Sequence, residues 1–446
     1  MKLYRKIEEK LKEWKNSNYS LIVFGSRQVG KTYIINNFIE ENFNSTYYLN
    51  LYQNTNAIET IINSTDTKDF LLRLSILNTE NQIVNDTCIF IDEIQEYYTY
   101  IEKHNISRYY DLLTASKFIA QDTKNRIVFS GSLLRLEMNS ILSSPTGYML
   151  PLEMYPLDFE EFLIAMNVNK ELISIARDCF INKKEIPDYI HVAFMNYFKK
   201  YLLVGGMPKA VSEYIDTNSF VAVENAHKTI DYYIKDDILK YTSDNEKLKV
   251  NEIYELLPSE LSRINKRFII SHIPDHNKNE AEHLSFSWLN TAGVSISVYV
   301  AKEAKIPLLQ SSVRNQFKFF HEDIGILTHI LMDAQTKAKV LNGDLNINFG
   351  AICENFVAEE LHAHGFKRQY YYNSKKNGEV DFLIEQNGEV IPLEIKSGKN
   401  YTKHSALNNL FKTGDIKQAY VFTNNNYSRK GNVHYFPIYC IDFITK

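Results

Sequence analysis

The chain has 446 residues, too many for one hydrophobic core, so about three compact units are expected. Hydrophobic residues make up 44% and charged residues 23%, the balance of a soluble globular protein. A net charge of −4 argues against a globally basic nucleic-acid binder, although a local groove can still be basic. The longest apolar runs fall well short of the about 20 residues a membrane-spanning helix needs.

The N-terminus, MKLYRKIEEKLKEWK, mixes Lys and Glu at helical spacing and lacks the apolar stretch of a secretory leader. Cys88, Cys179, Cys353 and Cys440 lie far apart with no CxxC pair, which indicates neither a disulfide framework nor a zinc site. A cytoplasmic setting is expected. The 30 tyrosines and 26 phenylalanines are scattered, and they read as core and surface before base-stacking platforms.

LIVF at 21–24 is a short branched run expected to form a buried parallel strand. GSRQVGKT follows at 25–32 and fits G-x-x-x-x-G-K-[ST]; KTYIINNFIEENF then continues at helical spacing. That strand–loop–helix context is what a phosphate-binding loop needs. Gly25, Ser26, Arg27, Gln28, Val29 and Gly30 would surround the phosphates of ATP with main-chain amides. Lys31 would reach the β- and γ-phosphates, and the hydroxyl of Thr32 would ligate Mg²⁺. TYYLNL at 46–51 supplies another strand.

CIFIDE at 88–93 is an apolar strand ending in two acids. Alone it could be a solvated turn. Behind a phosphate loop, Asp92 would hold the Mg²⁺ shell and Glu93 would activate the attacking water. RIVF at 126–129 runs into SGS, placing Ser130 or Ser132 at a strand's carboxyl end, where ligands of open α/β sheets gather. A plain Ser-Gly turn is the equal alternative.

GSRQVGKT, IFIDEIQ and VFSGSLL resemble the P-loop, Walker B and sensor strands of a prokaryotic AAA-type ATPase group. Its members usually carry a nuclease-like C-terminal domain. PLEMYPLDFEEFL at 151–163, YLLVGGMPKAV at 201–211 and FKFFHEDIGIL at 317–327 are similar to later segments of that group. The group usually has Gly-Arg before the PLEMYPL-like segment, whereas Gly147 here is followed by Tyr148. Arg135 is a candidate substitute, against the reading of a surface arginine.

The resemblance implies an α/β fold in four parts. These are a P-loop AAA-type αβα core at 1–150, a helical lid or connection at 151–247, a winged-helix-like module at 248–315, and a restriction-endonuclease-like α/β domain at 316–446. In the third part, SRINKRF at 262–268 lies near an expected recognition helix, with a solvated helix face as the blander reading.

In the last part, GAICENFVAEEL at 350–361 reads as a helix carrying Glu354, and QYYYN at 369–373 as a strand. EVDFLIEQNGEVIPLEIKSG at 379–398 reads as a hairpin turning at Asn387-Gly388. A polar helix and the strand QAYVFT complete the order helix, three strands, helix, strand. Residues two apart on a strand share a face, so Glu394 and Lys396 point the same way, and the turn brings Asp381 alongside. This D…ExK set resembles the restriction-endonuclease-like motif. Asp381, Glu394 and Glu354 would hold Mg²⁺, and Lys396 would help activate water or stabilise charge. Seven basic side chains against five acids between 367 and 403 leave a small positive surplus for phosphate contact.

Two functional readings follow. One is an Mg²⁺-dependent ATPase whose terminal domain binds, and on one reading cleaves, DNA or RNA. The other is an ATP-switched scaffold whose nuclease-like module is catalytically idle. A small-molecule kinase fits worse, because the terminal domain would have no role. A homo-oligomer is compatible with the resemblance.

Overall fold

The computed structural model describes residues 2–77, 83–84, 86–122, 124–132, 147–242, 246–261, 281–342, 349–398 and 400–446. Arg135, the SRINKRF stretch and Lys399 lie outside the described residues. Two compact units emerge. One comprises Arg5–Tyr155 with Thr291–Gly293; the other holds 156–290, 294–446 and the residues before Arg5.

The first unit is built on β1 (Ser20–Phe24), β2 (Ser45–Asn50), β3 (Thr87–Asp92), β4 (Arg126–Gly131) and β5 (Met149–Glu153). They form one sheet in the order β2-β3-β4-β1-β5, with every pairing parallel. Central strands of a parallel sheet are covered on both faces, so they read as unbroken apolar runs. β3 is buried at every position. β5 was not expected as a strand: MLPLE contains Pro151, which a sheet tolerates at an edge, where a ladder donor can be missing. The expected boundary at 150 therefore falls inside β5.

The second unit contains β6 (Ser295–Ala301), β7 (Ser312–His321), β8 (Gln369–Ser374), β9 (Gly378–Gln386), β10 (Glu389–Lys396), β11 (Ala419–Thr423), β12 (Ser428–Lys430) and β13 (Val433–Pro437). They form an eight-stranded sheet ordered β12-β13-β11-β10-β9-β8-β6-β7. The β9–β10 turn is made by Asn387 and Gly388 at φ +51° and +75°, the left-handed pair that matches hairpin twist. Helix Gly350–Ala363, strands β8 to β10, helix Ser405–Phe411 and β11 follow one another in the chain.

Two features depart from the expected organisation. ISVYV belongs to β6, which pairs antiparallel with β7 and parallel with β8. It extends the terminal sheet instead of forming the wing of a separate module, and position 315 falls within β7. Of the stretch expected as a lid or connection at 151–247, residues 156–242 also pack within this unit. The Phe198 and Phe159 rings meet Phe356 at centroid distances of 4.9 and 6.3 Å. The Phe159 amide donates to Glu360 Oε1 at 2.9 Å, and the Tyr201 hydroxyl to Glu359 Oε1 at 2.6 Å. The cause is helix Gly350–Ala363, which is buried continuously from Ile352 to His362. A helix enclosed on all sides needs neighbours all round, and its buried carboxylates need donors. Phe159, Phe198 and Tyr201 supply part of both from chain about 150 to 200 residues earlier, beyond the reach of local pattern.

Candidate functional site

The GSRQVGKT loop joins β1 to helix Lys31–Asn42. Gln28 and Gly30 adopt φ +63° and +93°, left-handed backbone of the kind used in anion nests. Gly25 sits at φ +142°, where an added Cβ would lie 2.0 Å from Met154 O, so nothing larger fits. Val29 is buried beneath the loop, and its carbonyl accepts 2.9 Å from Arg5 Nη1. Arg5 Nη2 also donates to Tyr155 O at 2.5 Å, fastening the loop's underside to the chain after β5. Lys31 Nζ donates to Gly25 O at 2.9 Å, Ser26 O at 2.8 Å and Ser132 Oγ at 3.1 Å. Ser26 Oγ donates to Gly293 O at 2.5 Å.

Asp92, at the tip of β3 and 1% exposed, is the hub. Its Oδ2 accepts from Thr32 Oγ1 at 2.8 Å, Tyr48 OH at 3.1 Å and Asn50 Nδ2 at 3.2 Å. Its Oδ1 accepts from the Glu93 amide at 3.0 Å and from Ser130 Oγ. Burial, with the Asp92 and Glu93 charges adding to it, pushes the Tyr48 hydroxyl up to about 12, so it stays a donor. Neighbouring oxygens in an octahedral Mg²⁺ shell of about 2.0–2.1 Å radius lie about 2.9 Å apart. The Thr32–Asp92 spacing fits that edge. Glu93 adopts φ +56°, a conformation costly for a residue with a side chain and one that clusters at functional sites. Gln95 Nε2 donates to Glu93 Oε2, and the Ile94 amide donates to Ser130 O at 2.9 Å, tying the strained turn to β4.

In the second unit, Asp381 lies on β9, Glu394 and Lys396 on β10, and Glu354 on helix Gly350–Ala363. Lys396 Nζ meets Glu394 Oε1 at 2.6 Å, and Asp381 Oδ2 accepts the Ile395 amide at 2.9 Å. Burial raises the Glu394 carboxyl to about 8; the Asp381 charge adds to this and Lys396 opposes it. A residue absent from the sequence expectation joins them. Lys318 of β7 is wholly buried, its Nζ 3.0 Å from Glu379 Oε1, 3.4 Å from Glu354 Oε2 and 3.7 Å from Asp381 Oδ1. Burial works against its charge, but the Glu354, Asp381 and Glu379 carboxylates outweigh burial and hold its pKa above the ordinary lysine value. β7 and β9 are separated by two strands in the sheet order, yet Phe320 and Phe382 stack at 5.9 Å, so the sheet curls enough to bring their side chains together.

Residues 17–163 match the family model of the AAA domain. The first unit is an AAA-type P-loop ATPase domain. Residues 195–337 match a domain of unknown function (DUF8612), and 349–441 match another (DUF4143). The chain is similar to the uncharacterized protein MJ1544 of Methanocaldococcus jannaschii, with 26% identity over 393 residues, covering 83% of this chain and 73% of that one. Among solved structures, it is similar to the Walker-type ATPase PABY2304 of Pyrococcus abyssi (14% identity, TM-score 0.41, covering 74% of this chain and 96% of that one). It is also similar to the Aeropyrum pernix ORC1 protein in complex with DNA (12% identity, TM-score 0.26, covering 76% and 95%).

Several residues around the GSRQVGKT loop and Asp92 escape motif reading. Arg5 and Gly293 reach the loop, and Tyr48 and Asn50 reach Asp92, from distant chain positions, and none carries a signature of its own. Tyr148, standing where the resembling group has arginine, accepts the Ser20 amide at 2.9 Å through its main-chain carbonyl, and the Lys117 ammonium lies 4.7 Å from its ring centroid. Lys318 left one faint signal: a lysine set among phenylalanines in FKFF. No helix among the described residues is long and apolar enough to cross a membrane.

Proposed function

We propose that this chain is an Mg²⁺-dependent ATP hydrolase whose terminal domain is a nuclease-like module that engages nucleic acid. The observation that carries the first half is the 2.8 Å pairing of Thr32 with Asp92 behind a left-handed phosphate loop. The main-chain amides of the loop and the first turn of helix Lys31–Asn42 bind the phosphates, and Lys31 places its charge among them. When bound, Mg²⁺ neutralises phosphate charge; Thr32 and Asp92 are the residues that would hold it. Glu93, held by Gln95 on a strained turn, orients water and takes its proton. Ser130 fixes the Asp92 carboxylate.

The second half rests on the order helix, three strands, helix, strand, and on Asp381, Glu394, Lys396 and Glu354 within it. A cytoplasmic setting accords with cysteines that are all free. The test is ATP hydrolysis by the full chain, measured with and without Mg²⁺ and with and without DNA or RNA. Hydrolysis that needs Mg²⁺ and changes severalfold with nucleic acid is expected. Turnover in excess chelator would sink the first half, and indifference to every nucleic acid the second. An ATP-switched scaffold with an idle nuclease-like module is the second reading, and Lys318 favours it.

A further inference from the structure

We infer that Lys318 is a resident cation, seated where a divalent metal would bridge Glu354 and Asp381, so that the terminal domain works without metal and leaves phosphodiester bonds intact. This rests on the nuclease-like reading of that domain.

An ammonium group has three N–H donors and no acceptor. Around Lys318 Nζ stand three carboxylates, Glu379, Glu354 and Asp381, at 3.0, 3.4 and 3.7 Å. Glu379 and Asp381 are two apart on β9 and share a face, while Glu354 comes from the helix. A metal shared by Glu354 and Asp381 would have to lie about 2 Å from their oxygens, inside the volume the ammonium fills. Two cations without water between them do not coexist in so small a gap.

Nor is Lys318 a surface side chain that can swing aside. It is 0% exposed, and the Tyr371 ring centroid lies 5.1 Å from its nitrogen. Lys396, the lysine of the ExK motif, differs: its side chain is 31% exposed and is paired with Glu394. The cluster thus already has two ammonium groups for its four carboxyl groups. Lys318 enters from β7, which with β6 is added to the edge of the strands that carry the motif. The added hairpin therefore brings the cation with it.

The experiment is a Mn²⁺ titration of the full chain without nucleotide, followed by electron paramagnetic resonance. In the wild type, Asp381→Asn should leave the binding isotherm unchanged. Lys318→Met should gain one Mn²⁺ site at least tenfold tighter than any wild-type binding, and Asp381→Asn in that background should remove it. A wild-type Mn²⁺ site lost on Asp381→Asn overturns the inference, as does a folded Lys318→Met protein that gains no site. Should Lys318→Met fail to fold, the comparison of wild type with Asp381→Asn decides alone. Plasmid nicking by the wild type in Mn²⁺, abolished by Lys396→Ala, would overturn the inference while upholding the nuclease reading. A gel shift showing no nucleic-acid binding would sink that reading and leave the Mn²⁺ result standing.

Discussion

The hydroxyl of Thr32 and Oδ2 of Asp92 lie 2.8 Å apart, although 60 residues separate them in the chain. Helix Lys31–Asn42 presents the first, and the tip of β3 holds the second. Removing the hydroxyl while keeping the shape, by Thr32→Val, should raise the Mg²⁺ concentration for half-maximal ATP hydrolysis at least tenfold. Lys31→Ala should weaken binding of a fluorescent ATP analogue about a hundredfold or more, since charge-assisted contacts to phosphate are lost. Binding unchanged in Lys31→Ala would mean the loop does not hold the triphosphate.

Glu93→Gln keeps size and hydrogen bonding but cannot take a proton. It should bind ATP about as well as the wild type and hydrolyse it about 10²- to 10³-fold more slowly. Glu93→Gly should be equally inactive yet more stable by about 1 kcal/mol, because glycine relieves the left-handed strain at φ +56°. Single-turnover hydrolysis and thermal melting check the two statements separately. Normal turnover by Glu93→Gln would remove it as the base.

Gly25→Ala tests the loop's construction. The new methyl would meet Met154 O at 2.0 Å, on backbone at φ +142°. A loss of about 2–4 kcal/mol in the AAA domain is expected, read from its urea midpoint, together with loss of ATP binding. A stable, ATP-binding variant would show that the loop and the chain after β5 move apart readily.

Glu394 gives a pH signature. Its carboxyl is raised from 4.5 to about 8 by burial first and by the Asp381 charge second, with Glu354 adding and Lys396 opposing. The folded chain therefore keeps a proton that the unfolded chain releases. Its contribution to stability is full below the unfolded value and is lost as pH rises through the folded one, at about 1.4 kcal/mol for each pKa unit of separation. The urea midpoint of the second unit should fall between pH 5 and 9, and Glu394→Gln should flatten that slope. An identical slope in both proteins would assign the titration elsewhere.

Much of the AAA domain could be read locally. LIVF, CIFI and RIVF are central strands with both faces covered, so their apolar runs announce themselves, and the glycines of GSRQVGKT mark backbone that side chains resist. MLPLE did not read as a strand because an edge tolerates proline and partial exposure. Arg5 and Tyr48 were silent because each acts through one contact to a distant partner. Helix Gly350–Ala363 was legible as a helix, but the identity of its cover was not, since Phe159, Phe198 and Tyr201 look like any other buried aromatics.

The sequence by itself determined the phosphate loop, the acids at the end of β3 and the alternation that folds Asp381 back toward Glu394, because each depends on residues close in the chain or on backbone conformations few residues adopt. Only the tertiary structure decided that ISVYV joins the terminal sheet, that residues after 155 pack with that sheet, and that Lys318 stands among Glu354, Glu379 and Asp381. Those outcomes turn on which distant surfaces exclude water together and which buried charges must find partners, and neither is written in any local spacing.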